Sequence, residues 1–234
     1  MQMQNVTVGY YQDIMVLLDV TMQAREEKIT TIIGPNGAGK STVLKTIFGF
    51  LKPMDGKVML DGKNITGQDP FSMPLEGIVF IMQDRGIFPF LTAEENLELG
   101  AWLFKKDKRR VKQSIDGIYN KYPVLQDRRT VYAGNLSGGE QRMLEIGKAL
   151  MIDPEIILFD EPTAGLAPMV SNLIFEEVEK LRKEKRTLLM VEQNVKKALR
   201  ITDYVYVLEF GRVTFEGTTE EINLREVVTP WINW

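Results

Sequence analysis

The chain has 234 residues, with 44% hydrophobic and 26% charged side chains and a net charge of −3, values typical of a soluble globular domain with no electrostatic indication of a nucleic-acid partner. Cysteine and histidine are absent, which excludes disulfides, thiolate or imidazole metal sites, a cysteine nucleophile and a histidine general base. No apolar run approaches the roughly 18–20 residues needed to cross a bilayer. Because the N-terminus also lacks the layout of a signal peptide, we expect a cytoplasmic protein.

The N-terminal part predicts strands at residues 6–10, 16–23 and 28–33, the last of them rich in β-branched side chains. Tyr10 is the last residue of the first predicted strand, and Tyr11 follows it. Either aromatic ring is able to stack on a flat base. The alternative is a strand aromatic that packs on the sheet, as the β propensity of tyrosine favours.

Residues 34–42 have the sequence GPNGAGKST, which fits the phosphate-binding pattern G-x-x-x-x-G-K-[ST] between a strand and an apolar helical stretch at 43–48. Glycines let successive N–H groups point at phosphate oxygens, and the helix offers its positive N-terminal end to the same anion. Lys40 can place its charge on the β and γ phosphates, and the Ser41 hydroxyl can ligate Mg²⁺. The members of this phosphate loop are Gly34, Pro35, Asn36, Gly37, Ala38, Gly39, Lys40, Ser41 and Thr42. The segment predicts a site for a nucleoside triphosphate.

Between the phosphate loop and residue 92 the predicted elements are short. Asp61 and Gly62 form a hairpin dipeptide. Residues 78–82 predict a buried strand that ends in Gln83. The segment 87–91 (IFPFL) contains two phenylalanines and predicts either a piece of local core or an exposed docking surface.

Residues 92–151 are predicted to be mostly helical. Thr92 and Glu95 have the spacing of a capping box. Residues 106–121 form an amphipathic helix, and the basic run at 105–110 lies at its polar start. We interpret that run as a solvated face, with an RNA or lipid-headgroup surface as the alternative.

The hexapeptide LSGGEQ at residues 136–141 opens another predicted helix. Ser137 and Glu140 are spaced as a second capping box. The serine hydroxyl and the bare glycine N–H groups at a helix N-terminus can equally form an anion site. The hexapeptide by itself does not distinguish a cap from a binding site.

Residues 155–159 (EIILF) form a continuously apolar strand, as expected in a parallel sheet covered on both faces. Asp160 and Glu161 follow it, at the place where α/β sheets bind ligands. Asp160 is placed to hold Mg²⁺ or its water shell, and Glu161 is placed to polarise a water for attack on a γ-phosphate. The alternative is a solvated turn at the end of the strand.

The C-terminal part predicts a helix at Pro168–Lys183, a buried strand at Thr187–Val191 and a hairpin around Phe210 and Gly211. Two tryptophans in residues 229–234 are expected to dock on the domain's own core, with a subunit contact as the alternative. Strands alternate with helices before residue 85 and after residue 155, while the middle is helical. This order predicts a nucleotide-binding α/β core with an inserted helical lobe.

The phosphate loop, Gln83, LSGGEQ and ILFDEPT occur in one order, with GIFPFLTAEENLELGA between the second and third. Over nearly the whole chain this closely resembles the ATPase subunit of an ABC transporter. The resemblance implies an α/β P-loop NTPase of the ABC-ATPase type, with a mixed-sheet core, an N-terminal antiparallel β part and an inserted helical subdomain. It implies a single domain over 1–234, with the core at 1–86 and 156–234 and the mostly helical subdomain at 87–155.

The same resemblance implies a role for each matching residue. Tyr11 corresponds to the aromatic that stacks on adenine, and residues 34–42 wrap the phosphates. Contacts with the γ-phosphate bound on the opposite protomer are implied for Ser137, Gly138 and Gly139. Ligation of Mg²⁺ is implied for Ser41, Gln83 and Asp160. Catalytic roles are implied for Glu161, Gln193 and Lys40.

Two positions depart from the general pattern of the family. Ala167 and Gln193 stand where an aspartate and a histidine are usual. Glutamine donates and accepts hydrogen bonds but cannot become cationic. Three segments carry a similarity to the second ATPase subunit of branched-chain amino acid importers: VEQN, DEPTAGLAP and GIFPFLTAEENLELGA. Close relatives of that group serve urea or short-chain amide uptake.

Several partners and cofactors are implied by the resemblance. They are ATP, Mg²⁺, a second ATPase subunit (a homodimer or a paralogue), transmembrane permease subunits and, indirectly, a substrate-binding protein, with no nucleic acid. The resemblance places the chain in the cytoplasm, on the inner face of the cell membrane. A competing hypothesis is a soluble ABC ATPase acting on nucleic acid or ribosomes, although the chain has neither the second cassette nor the coiled-coil insertion usual there.

Overall fold

Two β-sheets organise the part of the chain that the computed structural model describes, residues 1–11, 14–83 and 86–222. The strands are β1 (Gln2–Tyr11), β2 (Ile14–Gln23), β3 (Ile29–Ile33), β4 (Asp55–Leu60), β5 (Lys63–Asn64), β6 (Ile78–Ile81), β7 (Ile156–Asp160), β8 (Thr187–Val191), β9 (Tyr204–Glu209) and β10 (Arg212–Thr218). The α-helices are α1 (Lys40–Ile47), α2 (Ala93–Gly100), α3 (Lys108–Lys121), α4 (Pro123–Asp127), α5 (Gly138–Leu150), α6 (Pro168–Lys183) and α7 (Val195–Ala198). The predicted docking of 229–234 lies outside the described residues.

The six-stranded sheet has the order β10-β9-β3-β8-β7-β6. Strands β9, β3, β8, β7 and β6 are parallel, and β10 pairs antiparallel with β9. Every residue of β3, β7 and β8 is buried, because helices cover both faces of a parallel sheet and so favour continuously apolar strands. The carboxyl ends of the parallel strands share one edge, and this edge carries the candidate site.

The four-stranded sheet has the order β2-β1-β4-β5 and is antiparallel. Strand β1 begins at Gln2, four residues before the predicted start at Val6, because it pairs with β2 and with β4 while polar side chains occupy its solvent face. The predicted hairpin is confirmed: Asp61 and Gly62 have φ angles of 46° and 82°, as the left-handed turn between β4 and β5 requires.

The described residues between 93 and 150 are mostly helical, as predicted. Helix α3 begins at Lys108 rather than at residue 106, because the Asp107 side chain accepts a hydrogen bond from the backbone N–H of Arg110 and so caps the helix there. Its apolar face is buried as predicted, with Val111, Ile115, Ile118 and Tyr119 in the core. Residues 105–110 are all exposed, which agrees with a solvated face. Both predicted capping boxes, at Thr92 and at Ser137, are present.

Candidate active site

The phosphate loop connects the end of β3 to the start of α1. Its backbone turns through left-handed conformations at Gly37 and Gly39, which have φ angles of 80° and 101°. Among the described residues no side chain caps the N-terminus of α1, so its backbone N–H groups remain available to an anion. The Lys40 ammonium donates to the carbonyl oxygens of Gly34 and Pro35, at 2.9 Å each. The loop therefore curls around its own lysine.

Close packing explains the glycines at both ends of this loop. A Cβ atom on Gly34 would lie 2.0 Å from the carbonyl oxygen of Leu208 in β9. A Cβ atom on Gly39 would lie 2.8 Å from Cδ2 of Leu17 in β2. Neither distance is compatible with a side chain at the present backbone positions. One end of the loop thus packs against the six-stranded sheet and the other end against the four-stranded sheet.

Ser41 and Asp160 meet across the fold at the carboxyl end of β7. The Ser41 hydroxyl donates to Oδ1 of Asp160 at 2.7 Å, and Asp160 is buried. Burial raises the pKa of the Asp160 carboxyl, and Glu161 raises it further, while the bond from Ser41 and the neighbouring lysines oppose the rise. A hydroxyl and a carboxylate side by side are the hard oxygen donors that Mg²⁺ prefers. The residues present therefore fit this ion.

Lys40 is the nearby cation, and burial lowers the pKa of its ammonium while Glu161 and Asp160 raise it. Its side chain is only 6% exposed. A buried positive charge in this position strongly favours an anionic ligand, because such a ligand offsets the cost of its desolvation.

The Glu161 carboxylate accepts hydrogen bonds from two distant segments of the chain. Gln83 donates from Nε2 to Oε2 of Glu161 at 3.0 Å. Gln193 donates from Nε2 to Oε1 at 2.9 Å and to Oε2 at 2.8 Å. The backbone of Glu161 has a φ of 47°, an unfavourable conformation for a residue with a side chain. Its N–H donates to the carbonyl of Val191 at 2.9 Å, which holds that conformation in place.

The structure thus brings Lys40, Ser41, Gln83, Asp160, Glu161 and Gln193 together. Ser137, Gly138 and Gly139 form no part of this hydrogen-bonded set in the described chain: Ser137 exchanges bonds with Glu140 in its own capping box. A Cβ atom on Gly139 would lie 2.9 Å from Cγ1 of Val170, so α5 begins tightly against α6. For Tyr11 only the backbone, in β1, is described.

Arg142 is a buried side chain with several hydrogen-bond partners that were not predicted from the sequence. It donates from Nε to the carbonyl of Pro162 at 2.9 Å and from Nη1 to the carbonyl of Met82 at 3.0 Å, and it forms an ion pair with Glu145. Glu145 in turn accepts a bond from the N–H of Gly86 at 2.9 Å. A signal was present in the sequence, since charged residues at an i, i+3 spacing interrupt the apolar face of the predicted helix.

An apolar groove of about 440 Å³ lies beside Met82 and Gly86. Aromatic and aliphatic side chains line most of it, including Phe48, Phe80, Phe88, Leu99 and Trp102, and Glu145 and Lys148 supply its charged part. In the segment 87–91, Ile87 packs against the core, whereas Phe90 is 89% exposed. The segment therefore lies partly in the local core and partly on the exposed surface.

In the part of the chain that the structure describes, no helix combines the length and the apolarity that a membrane span needs.

Comparisons with known proteins agree with this geometry. The family model described as "ABC transporter" matches residues 17–164. An Archaeoglobus fulgidus protein named probable branched-chain amino acid transport ATP-binding protein LivF is 42% identical over 213 residues, covering 91% of this chain and 89% of that protein.

Solved structures give the same result. A crystal structure of an ATP-binding cassette of an ABC transporter, in its ADP conformation, has a TM-score of 0.89 and 32% identity and covers 100% of this chain and 98% of that one. A dimeric cassette in a post-hydrolysis state, bound to ADP and Pi, has a TM-score of 0.81 and 28% identity over 94% of this chain and 99% of that one. The predicted fold class is confirmed, and the chain belongs to the ABC transporter family as an ATP-binding subunit that hydrolyses ATP.

Proposed function

We propose that the chain powers an importer of branched-chain amino acids. Its 42% identical relative is named for that transport activity. The VEQN segment at residues 191–194, which has Gln193 at the switch position where a histidine is usual, also resembles this subfamily. A urea or short-chain amide importer is the second candidate, on the same similarity. The cargo is tested by a ligand screen on the substrate-binding protein that purifies with the intact transporter.

Each ATP molecule lies between two subunits in this proposal. The adenine stacks on Tyr11, residues 34–42 wrap the phosphates, and Ser137, Gly138 and Gly139 of the second subunit approach the γ-phosphate. Support comes from α5, which begins with Gly138 and Gly139, two residues that have no Cβ atom of their own, at a helix N-terminus whose N–H groups favour an anion. Since a relative forms a dimer with ADP and Pi bound, binding of ATP is expected to close two such surfaces on one another.

The observation that carries the catalytic assignment is the Glu161 carboxylate, held by the Gln83 and Gln193 amides at 2.8–3.0 Å. Glu161 orients and polarises the attacking water, and Gln193 keeps the carboxylate in place without adding charge. Lys40 stabilises the charge that develops on the transferred phosphoryl group. Ser41, Asp160 and Gln83 are the residues that would hold Mg²⁺, which would supply further positive charge to the same group.

The test is the Glu161→Gln variant. We expect ATP binding to persist while steady-state turnover falls about 10²–10⁴-fold, the range for loss of a general base, and an ATP-bound dimer to accumulate. Glu176→Gln, at an exposed position of α6, is the matched control and should hydrolyse ATP normally. Steady-state hydrolysis by Glu161→Gln at the parent rate would refute the role of Glu161.

Gln193→Ala tests the switch position separately. Removing the amide leaves the Glu161 carboxylate with one side-chain donor instead of two, so hydrolysis should fall more than the affinity for ATP. A variant that turns over as fast as the parent would leave Gln193 with a structural role only.

The groove beside Gly86 is the proposed contact with the membrane permease subunits. Its apolar lining and the exposed Phe90 suit an apolar face of a short helix. The chain is then a single ATPase domain, with its core at 1–86 and 156–234 and its helical subdomain at 87–155, bound to the inner face of the membrane through these subunits. Copurification with integral membrane subunits rather than with RNA or DNA would separate this function from a soluble ATPase that acts on nucleic acid.

A further inference from the structure

We propose that Glu192 is a positioning residue that locks the Gln193 amide onto the Glu161 carboxylate. Glu192 directly follows β8 and is 2% exposed. The proposal rests on the roles proposed above for Glu161 and Gln193. It states that the buried Glu192 carboxylate fixes the positions of these two residues relative to one another.

One oxygen of the Glu192 carboxylate is bound to the loop that follows Glu161. Its Oε1 atom accepts a hydrogen bond from the Thr163 N–H at 3.0 Å and another from the Thr163 hydroxyl at 2.6 Å. Thr163 is itself buried and lies two residues beyond Glu161. This half of the carboxylate therefore fixes the backbone immediately after the catalytic position.

The other oxygen is bound to the switch segment. Its Oε2 atom accepts from the backbone N–H of Gln193 at 3.0 Å and from that of Asn194 at 3.1 Å. Two N–H groups directed at one oxygen define the direction in which the Gln193 side chain leaves the backbone. From there the Gln193 amide reaches both oxygens of Glu161.

These bonds close a ring. Glu161 is joined to Thr163 by the chain, Thr163 to Glu192 by two hydrogen bonds, and Gln193 back to Glu161 by its amide. The Glu161 N–H also donates to Val191, the residue before Glu192. A change at any member of the ring alters the placement of the amide on the Glu161 carboxylate.

An ionised carboxylate is the side chain that this position needs. All four groups directed at Glu192 are donors, and a carboxylate only accepts. Among the described residues no salt bridge involving Glu192 is found, so these hydrogen bonds stabilise its charge. Glutamine would keep the shape but would direct its NH₂ group at two N–H or O–H donors, which breaks one side of the ring.

The experiment measures kcat and KM for ATP in Glu192→Gln, in Gln193→Ala and in the double variant. We expect Glu192→Gln to lower kcat about 10–10²-fold, the cost of misplacing a reacting group slightly, with KM unchanged. In the Gln193→Ala background the same substitution should change kcat by less than about threefold, because residues that act through one another are not additive. Thr163→Val removes the hydroxyl bond to Glu192 and keeps the backbone N–H bond, so it should lower kcat in the same direction by a smaller factor.

The matched control is Glu177→Gln. Glu177 lies in α6 and is as buried as Glu192. It accepts a hydrogen bond of 2.5 Å from the Tyr122 hydroxyl. It should reproduce any loss of stability that follows from removing a buried carboxylate, with kcat at the parent value.

Two results would overturn the role of Glu192: a kcat of Glu192→Gln within twofold of the parent, or losses for Glu192→Gln and Gln193→Ala that multiply in the double variant. If Glu192→Gln does not fold, Thr163→Val decides, and an unchanged kcat there overturns the proposal. Full turnover by Glu161→Gln is a different failure, because it would remove the proposed catalytic role of Glu161 itself whatever the Glu192 variants do.

Discussion

Replacement of Arg142 by methionine should strongly destabilise the fold. The Arg142 guanidinium is 4% exposed and joins α5 to two loops, through the carbonyls of Pro162 and Met82 and through its ion pair with Glu145. Methionine fills a similar volume but offers no donor. The change therefore removes the donor from three carbonyl groups, those of Pro162, Met82 and Glu161, and from the Glu145 carboxylate.

The expected loss in the free energy of unfolding of Arg142→Met depends on the groups that still contact Glu145 after the substitution. Removing one member of a buried ion pair typically costs about 3–5 kcal/mol, because the other charge stays buried without compensation. Glu145 keeps its bond from the Gly86 N–H at 2.9 Å. Burial lowers the pKa of the neighbouring Lys148 ammonium and the attraction of Glu145 opposes that lowering, so this cation partly balances the Glu145 charge. We therefore expect a loss near the lower end, about 3 kcal/mol, or roughly 6–12 °C in Tm at 2–4 °C per kcal/mol.

Urea unfolding of three variants tests the estimate. Arg142→Met should lose about 3 kcal/mol, and the double change Arg142→Met with Glu145→Met should be more stable than Arg142→Met, because a buried ion pair can often be replaced by apolar side chains at little cost. Lys63→Met is the matched control, since its pair with Glu76 is largely exposed and should contribute no more than about 1 kcal/mol. A loss below about 1 kcal/mol for Arg142→Met, or a double variant that is worse than the single one, would refute the reasoning.

Three further predictions concern the loop, a buried carboxylate and a helix cap. Gly34→Ala should abolish ATP binding measured by calorimetry, because its Cβ would lie 2.0 Å from the Leu208 carbonyl oxygen and must displace the loop. Tyr122→Phe should cost about 1–3 kcal/mol in chemical unfolding, because the buried Glu177 loses a hydroxyl donor at 2.5 Å. The capping bonds lower the pKa of Glu140, so its stabilising effect is present above the unfolded pKa of about 4.3 and is lost as pH falls through the lower folded value. The stability difference between the parent and Glu140→Gln should accordingly shrink on acidification and stay constant between pH 6 and 8.

Local chemistry made much of the fold predictable. The spacing of Ser137 and Glu140 predicts a capping box from four consecutive residues, and this capping box is present at the N-terminus of α5. Helix α6 coincides with its predicted bounds, because Pro168 begins it and apolar residues recur at helical spacing. Arg142 was not predictable in the same way. Its acceptors at Met82 and Pro162 lie 60 and 20 residues away along the chain, and periodicity carries no information about such contacts.

The order of the strands explains why the candidate site assembles from distant segments. In the six-stranded sheet β3, β8, β7 and β6 are adjacent and parallel, so the residues that follow them form a row along one edge. The phosphate loop follows β3, the Gln193 segment follows β8, Glu161 follows β7 and Gln83 lies just after β6. Gln193 therefore sits between the phosphate loop and Glu161, and Gln83 approaches Glu161 from the opposite side although it is 78 residues away in the chain. Sequence motifs identify the members of this row, and the strand order sets their sequence along the edge, while Ser41 still reaches Asp160 at 2.7 Å although β3 and β7 are not adjacent strands.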